Sequence, residues 1–238
     1  EAAIYTALKA AGIGCDVTAG LSLGEYCAIA VAGGMCDMDA VRTVRSRGIF
    51  MEHAAPEGTG AMSAVLGLDA AVIEDVLNGR EGVSIANYNC PGQIVITGEA
   101  KAVAEAGTAL KEAGARRVLP LKVSGPFHSP MMRPAGEELA KVFAGVSMNP
   151  LKVPYVANIN AEVITDCGKI EELLVAQVSG SVRWQQSVET MIREGVDTFV
   201  EIGPGKTLTG FLRKIDKNVK SYHIGSWEEA VLVCEELK

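Results

Sequence analysis

The chain is poor in aromatic residues and histidine and has no excess of basic residues. Only 5% of its 238 residues are aromatic, and it contains three histidines. Lys and Arg number 22 against 29 Asp and Glu, for a net charge of −7, which argues against a nucleic-acid partner because phosphate binding needs basic excess. No apolar run is long enough to cross a membrane, and no signal peptide is recognisable. We therefore expect neither a nucleic-acid nor a membrane partner.

The cysteines form no Cys-x-x-Cys pair and do not lie near clustered histidines. Such a pattern indicates reduced thiols in a cytoplasmic protein, rather than a disulfide framework or a zinc site. We expect no metal and no cofactor. The cysteines are Cys15, Cys27, Cys36, Cys90, Cys167 and Cys234.

What the chain does contain is an apolar fraction of 48% and 26 glycines, which favours an α/β protein with helices packed closely on a sheet. Strand and helix patterns alternate in residues 1–58 and 126–238, and this predicts an α/β-hydrolase-like core with a largely parallel sheet. Residues 59–125 follow the order β-α-β-β-α-β, which predicts an inserted ferredoxin-like subdomain.

The run Gly-Leu-Ser-Leu-Gly at 20–24 follows a strand pattern over residues 15–19 and precedes an Ala-rich helix pattern. Strand, Gly-x-Ser-x-Gly and helix is the context of a nucleophile elbow. In such an elbow Ser22 lies at the tip of a sharp turn and at a helix N-terminus, where free amides favour developing negative charge. A chance match in a glycine-rich chain is the alternative.

A serine nucleophile needs a base at neutral pH. We expect His53 at a solvated helix end and His223 on an exposed edge strand. His128 lies in the rigid run Pro-Phe-His-Ser-Pro at 126–130, and we weigh it equally as the base and as an ordinary loop residue. No acidic partner stands out, and a backbone carbonyl would suffice to orient the imidazole.

Arginines 42, 45 and 47 share one helix pattern. A guanidinium suits a carboxylate ligand, although a solvated basic face is the more ordinary interpretation. The run Gly-Pro-Gly-Lys at 203–206 lacks phosphate-loop spacing, so we reject a nucleotide site. Basic residues at 213, 214, 217 and 220 indicate either ordinary solvation or a dock for an acidic partner.

Together these motifs resemble those of the malonyl-CoA:acyl-carrier-protein transacylase family of fatty-acid synthesis, in the family's order and along the whole chain. The resemblance implies ping-pong transfer of malonyl from malonyl-CoA to the phosphopantetheine thiol of acyl carrier protein. The matching segments are 20–26, 47–51, 56–62, 89–93, 125–129, 182–184 and 201–206.

The resemblance also implies roles for individual residues. Ser22 is similar to the acylated nucleophile and His128 to its base. Arg47 is similar to the partner of the malonyl carboxylate, and Gln177 to the residue whose backbone carbonyl orients the histidine. The Leu23 amide remains as an oxyanion donor.

Two further residues correspond to substrate-binding positions of the family. Phe127 precedes the histidine as in the malonyl-selecting form of the motif, and Asn89 opens the segment 89–93.

The chain departs from the family in two places. Leu21 stands where many members have histidine, and the family's N-terminal strand with its Gly-Gln-Gly-x-Gln segment is not in this sequence. We therefore expect the N-terminal strand and helices of the core to be missing, and an N-terminal fragment of the same protein is a further candidate partner. A serine hydrolase or thioesterase, and an inactive carrier-protein-binding fragment, remain the alternatives.

Overall fold

Helices and strands alternate along most of the chain in this computed structural model, which describes residues 1–237. The predicted α/β class is confirmed. No helix within that range is long and apolar enough to cross a membrane. The helices are α1 (Ala2–Ala10), α2 (Leu23–Val31), α3 (Asp37–Ala54), α4 (Ala70–Leu77), α5 (Ala100–Glu112), α6 (Arg133–Phe143), α7 (Ile170–Ser179), α8 (Trp184–Arg193), α9 (Thr207–Ile215) and α10 (Trp227–Glu236).

The strands of residues 1–237 are β1 (Thr18–Ala19), β2 (Gly60–Leu66), β3 (Val83–Cys90), β4 (Gln93–Glu99), β5 (Arg117–Pro120), β6 (Tyr155–Val156), β7 (Val163–Ile164), β8 (Thr198–Ile202) and β9 (Lys220–Ile224). They form three sheets, ordered β1-β6-β7, β3-β4-β2-β5 and β8-β9.

The sheets outside the four-stranded one are short and mainly parallel. β1 runs parallel to β6, and β8 runs parallel to β9, whereas β7 is antiparallel to β6. The strand predicted over residues 15–19 is shortened to Thr18–Ala19, because its partner β6 offers only Tyr155 and Val156 for pairing.

The four-stranded sheet is antiparallel at every pairing. Along the chain its elements follow the order β2-α4-β3-β4-α5-β5. Because side chains alternate along a strand, Val65 of β2 packs against α4 and α5, while Met62 and Ala64 face Phe127 on the other side. One face of this sheet is thus closed by its own helices, and the other is turned toward the rest of the molecule.

The largest core brings α2, α3, α6 and α7 around β6. Tyr26, Ile29, Leu139, Tyr155 and Leu174 are almost fully buried in it. Burying a large apolar side chain contributes about 1.5–3 kcal/mol. This core therefore holds α2 firmly against β6, and α2 is the helix that begins directly after Ser22.

The prediction that His223 lies exposed is wrong. Its strand β9 is at the edge of its sheet, but the side chain is only 9% exposed. Helix α10, which the sequence patterns did not predict, places the Glu229 carboxylate 3.3 Å from Nδ1, and the Gly203 carbonyl oxygen lies 3.0 Å from Nε2.

Candidate active site

Ser22 lies between β1 and α2 in a strained conformation, with φ at 52°. Positive φ in a residue other than glycine costs energy and persists only where the surroundings impose it. Here the Ser22 amide donates to Asn158 Oδ1 at 2.6 Å, and Asn158 Nδ2 donates to the Gly20 carbonyl at 2.8 Å. Asn158, just after β6, therefore holds both sides of the turn.

The two glycines of the elbow have different roles. A Cβ added to Gly20 would lie 2.0 Å from the carbonyl oxygen of Gly24, whereas a Cβ added to Gly24 would contact nothing within 4 Å. Strand and helix approach closely at Gly20, and only there does the turn exclude a side chain.

His128 Nε2 lies 2.8 Å from Ser22 Oγ, although 106 residues separate them. Its Nδ1 lies 2.9 Å from the carbonyl oxygen of Gln177. A carbonyl can only accept, so Nδ1 carries the proton and the lone pair of Nε2 faces the serine hydroxyl. The imidazole is held in the tautomer that a general base requires.

The pKa of His128 is lowered from its ordinary 6.5 to about 4, chiefly by burial and also by the nearby Arg47 cation. Backbone hydrogen bonds with Gln177 and Gly180 oppose this shift. Both causes of the lowering disfavour the imidazolium, so the ring is neutral at pH 7 and ready to accept a proton.

Arg47 is 7% exposed and donates through Nη2 to Ser22 Oγ and to Gln177 Oε1, both at 3.1 Å. Its guanidinium carbon lies 5.6 Å from the centre of the Tyr26 ring. Burial lowers the pKa of Arg47, and nearby Tyr26 and Glu25 oppose the shift. The ordinary pKa of a guanidinium is so high that Arg47 keeps its charge.

The helical repeat explains why Arg47, rather than its neighbours, reaches Ser22. Residues three and four apart share one face of a helix, and the buried positions of α3 are Ala40, Thr43, Arg47 and Met51. Arg42 and Arg45 fall on the exposed side, as expected of a solvated face.

Gln177 also reaches the elbow through its side chain. Its Nε2 donates to the Ser22 carbonyl at 2.9 Å and to Glu25 Oε2 at 2.7 Å. Glu25 is fully buried, and burial raises its pKa to about 8 against the lowering effects of Gln177, the Asn158 amide and Arg47.

Ser22, His128 and Arg47 open onto a cavity of about 350 Å³ between the four-stranded sheet and the helical core. Mixed apolar and polar walls suit an acyl group with a polar end. The lining residues are Leu21, Ser22, Arg47, Gly48, Met51, Met62, Asn87, Leu121, Val123, Phe127 and His128.

The structure brings Phe127 to this cavity but does not bring Asn89 there. Asn87 takes the place predicted for Asn89. Bulges in β3 interrupt its pairing with β4 between Ile85 and Asn87 and again between Tyr88 and Cys90. A bulge breaks strand alternation, so the sequence pattern does not reveal which asparagine faces the cavity.

Leu23 is 55% exposed and begins α2. The first amides of a helix have no acceptor within the helix, and the Leu23 N–H, directly after Ser22, is one of these amides. Glu25 and Asn158 were given no role from the sequence, since their only signal is a buried polar side chain, which becomes visible once the chain is folded. In residues 1–237 no three His, Cys, Asp or Glu side chains are grouped so as to hold a metal ion.

Known proteins share this arrangement of elements. The sequence model of the acyl transferase domain family matches residues 1–231. The malonyl CoA-acyl carrier protein transacylase of Bacillus subtilis (strain 168) is 45% identical over 240 residues, which cover 99% of this chain and 76% of that protein. The chain belongs to the malonyl CoA-acyl carrier protein transacylase family.

Other transacylases of the family agree. That of Escherichia coli (strain K12) is 47% identical over 201 residues, 83% of this chain and 65% of that protein. A solved complex of a type II PKS acyl-carrier protein with its malonyl-transacylase superposes with a TM-score of 0.92 at 38% identity, covering 98% of this chain and 77% of that one. The chain thus spans between about two thirds and about three quarters of the length of these relatives.

Proposed function

We propose that this chain transfers the malonyl group from malonyl-CoA to the phosphopantetheine thiol of acyl carrier protein, in fatty-acid biosynthesis. The observation that carries the proposal is the buried Arg47 Nη2, 3.1 Å from Ser22 Oγ. A guanidinium beside a nucleophile offers a free carboxylate a charge-assisted partner, and malonyl has such a carboxylate where acetyl does not. The relatives named as malonyl transacylases support the same substrate.

The reaction proceeds in two halves through a malonyl-serine ester. His128 Nε2 takes the Ser22 proton as Oγ attacks the thioester carbonyl, and the Leu23 amide stabilises the oxyanion. The tetrahedral intermediate collapses with cleavage of the C–S bond, and CoA leaves as a thiol with the proton from His128. The carrier thiol then gives its proton to His128 and attacks the ester carbonyl. The bond between that carbon and Ser22 Oγ breaks, and Oγ takes the proton back from His128.

We also propose that residues 59–125 act as a ferredoxin-like subdomain beside a core of residues 1–58 and 126–238. The four-stranded antiparallel sheet, with one face covered by its own helices, supports this division. The free thiol state of all six cysteines supports a reducing, cytoplasmic location.

The test compares Arg47→Ala with Arg45→Ala, an exposed arginine of the same helix. We expect Arg47→Ala to lower kcat/KM for malonyl-CoA by about 10- to 100-fold, because a charged hydrogen-bond partner of the carboxylate is lost. Acetyl-CoA should not lose activity in the same proportion. Arg45→Ala should leave both substrates unchanged.

Intact-mass measurement after mixing with malonyl-CoA should show a malonyl adduct that Ser22→Ala abolishes. Malonyl preference that survives Arg47→Ala contradicts the assignment of Arg47. Fast release of malonate without any thiol acceptor would instead identify a thioesterase.

A further inference from the structure

Glu25 is a fully buried carboxylate three residues after Ser22 that has no part in the reaction as described. Its Oε2 accepts from Gln177 Nε2 at 2.7 Å, and the Asn158 backbone amide lies 3.3 Å from both of its oxygens. Both neighbours are donors, so the ionised carboxylate, which predominates above a pH of about 8, acts only as an acceptor. Burying a charged carboxylate costs free energy unless it is paired and hydrogen-bonded.

The Glu25 carboxylate determines how the Gln177 side-chain amide is turned. Nε2 of Gln177 faces two acceptors, Glu25 Oε2 and the Ser22 carbonyl oxygen. Rotating the amide by half a turn would direct Oε1 at those two oxygens and Nε2 at the guanidinium, which pairs acceptor with acceptor and donor with donor. Only one orientation satisfies all the partners.

In that orientation Gln177 Oε1 faces Arg47 and accepts from Nη2 at 3.1 Å. The same Nη2 donates to Ser22 Oγ. Arg47 Nε is buried and has no hydrogen-bond partner within residues 1–237. Nη2 is thus held by the protein, and Arg47 lines the cavity, where its guanidinium can meet a planar carboxylate.

We propose that Glu25 is a positioning residue for malonyl selection. It acts through the side-chain amide of Gln177 to set the position of the Arg47 guanidinium beside Ser22. The amide bridges the buried acid and the buried cation, and Glu25 itself does not touch substrate. This role rests on the proposed malonyl transfer.

The decisive variant is Glu25→Gln, which keeps the size of the side chain and replaces one acceptor oxygen with a donor nitrogen. Whichever way the new amide turns, a donor faces either Gln177 Nε2 or the Asn158 amide. At about pH 9, where Glu25 is ionised, we expect the malonyl-to-acetyl ratio of kcat/KM to fall about tenfold, mainly through a higher KM for malonyl-CoA. Glu74→Gln is the control, since the Glu74 carboxylate also accepts a side-chain hydrogen bond, from Tyr88, but is not among the residues that line the cavity.

A double-mutant cycle with Gln177→Met separates positioning through the Gln177 amide from a purely structural role of Glu25. If Glu25 acts through the Gln177 amide, Gln177→Met lowers the ratio similarly, and adding Glu25→Gln lowers it no further. Fold-losses in the ratio that multiply in the double variant overturn the proposal. An unchanged malonyl-to-acetyl ratio in a folded Glu25→Gln variant also overturns it.

Should Glu25→Gln fail to fold, Glu25→Asp decides by the same rule, because it keeps the charge but retracts the carboxylate from Gln177. A malonyl-to-acetyl ratio that Glu25→Asp leaves unchanged counts against the positioning role of Glu25. Arg47→Ala distinguishes a failure of the proposed function from a failure of the Glu25 proposal. If Arg47→Ala leaves the malonyl preference intact, the proposed function fails. If Arg47→Ala removes the malonyl preference while the Glu25 variants keep that preference, only the positioning role of Glu25 fails.

Discussion

At the residue scale, the candidate active site concentrates backbone strain. Ser22 and His128 have φ values of 52° and 60°, and within residues 1–237 Ala161 is the one other non-glycine residue with positive φ. Each such conformation costs on the order of 1–3 kcal/mol. Asn158 holds Ser22 in place, and the Gln177 carbonyl holds the His128 ring. The free energy of folding thus offsets the strain at these two residues and keeps Ser22 Oγ in contact with His128 Nε2.

The first prediction concerns the protonation of His128. Because burial and Arg47 depress its pKa, the rate of Ser22 acylation should stay constant as pH falls through 6.5 and decline only near pH 4. Single-turnover formation of the malonyl adduct, followed by intact mass across pH, measures this. Circular dichroism at each pH checks that the fold persists, and a midpoint near 6.5 would contradict the burial argument.

At the scale of elements, the site depends on where helices begin and which face they bury. Helix α3 places Arg47 on a buried stripe with Thr43 and Met51. Helix α2 begins immediately after Ser22, and Gly20 allows it to lie close against β1. A rigid helix positions a side chain better than a loop does, because its backbone hydrogen bonds restrict the motion of each residue.

The second prediction separates the two glycines of the elbow. Gly20→Ala should destabilise the protein by about 3 kcal/mol and abolish adduct formation on Ser22, since its Cβ would overlap the Gly24 carbonyl. Gly24→Ala should keep the acylation rate and stabilise α2 by about 0.5–1 kcal/mol. Urea denaturation measures the stability of both variants, and intact mass measures adduct formation. Equal losses in the two variants would contradict the close approach of backbone at Gly20 alone.

At the scale of the whole molecule, the cavity forms where the four-stranded sheet meets the helical core. Met62 and Asn87 come from the sheet, and Arg47 and His128 from the other side. Gly60 at the start of β2 packs so closely on Pro126 that a Cβ there would lie 2.3 Å from the ring. Substrate is therefore expected to contact both parts at once.

The third prediction concerns stability against pH. The pKa of Glu25 is 4.5 in an ordinary setting and about 8 when buried, so the folded state retains a proton that the unfolded chain has released. The free energy of unfolding should therefore fall as pH rises from 4.5 through about 8. His128 acts oppositely, since its stabilising contribution is lost as pH falls from 6.5 through about 4.

Of these two groups only Glu25 changes its contribution between pH 6.5 and about 8, and the loss of stability due to it should disappear in Glu25→Gln. Urea denaturation of both proteins at a series of pH values provides the measurement. Parallel stability curves for the two proteins would show that Glu25 is ionised across the range.

Local patterns predicted most of the helices and strands with small errors at their ends. Strand β5 ends at Pro120, whose nitrogen has no proton to donate to a neighbouring strand. Helix α10 was not predicted, and β1 is shorter than expected. Both differences depend on partners distant in the chain, which local patterns do not reveal.

The sequence alone determined the elbow, the rigid loop that carries His128, and the family to which the chain belongs, because these depend on the order of residue types. Only the tertiary structure decided the contacts between them: the tautomer of His128, the choice of Asn87 over Asn89, and the path from Glu25 through Gln177 to Arg47. Hydrogen bonds between residues 49 to 152 positions apart depend on packing, and burial shifts the pKa of each group. Neither is a property of any local stretch of the chain.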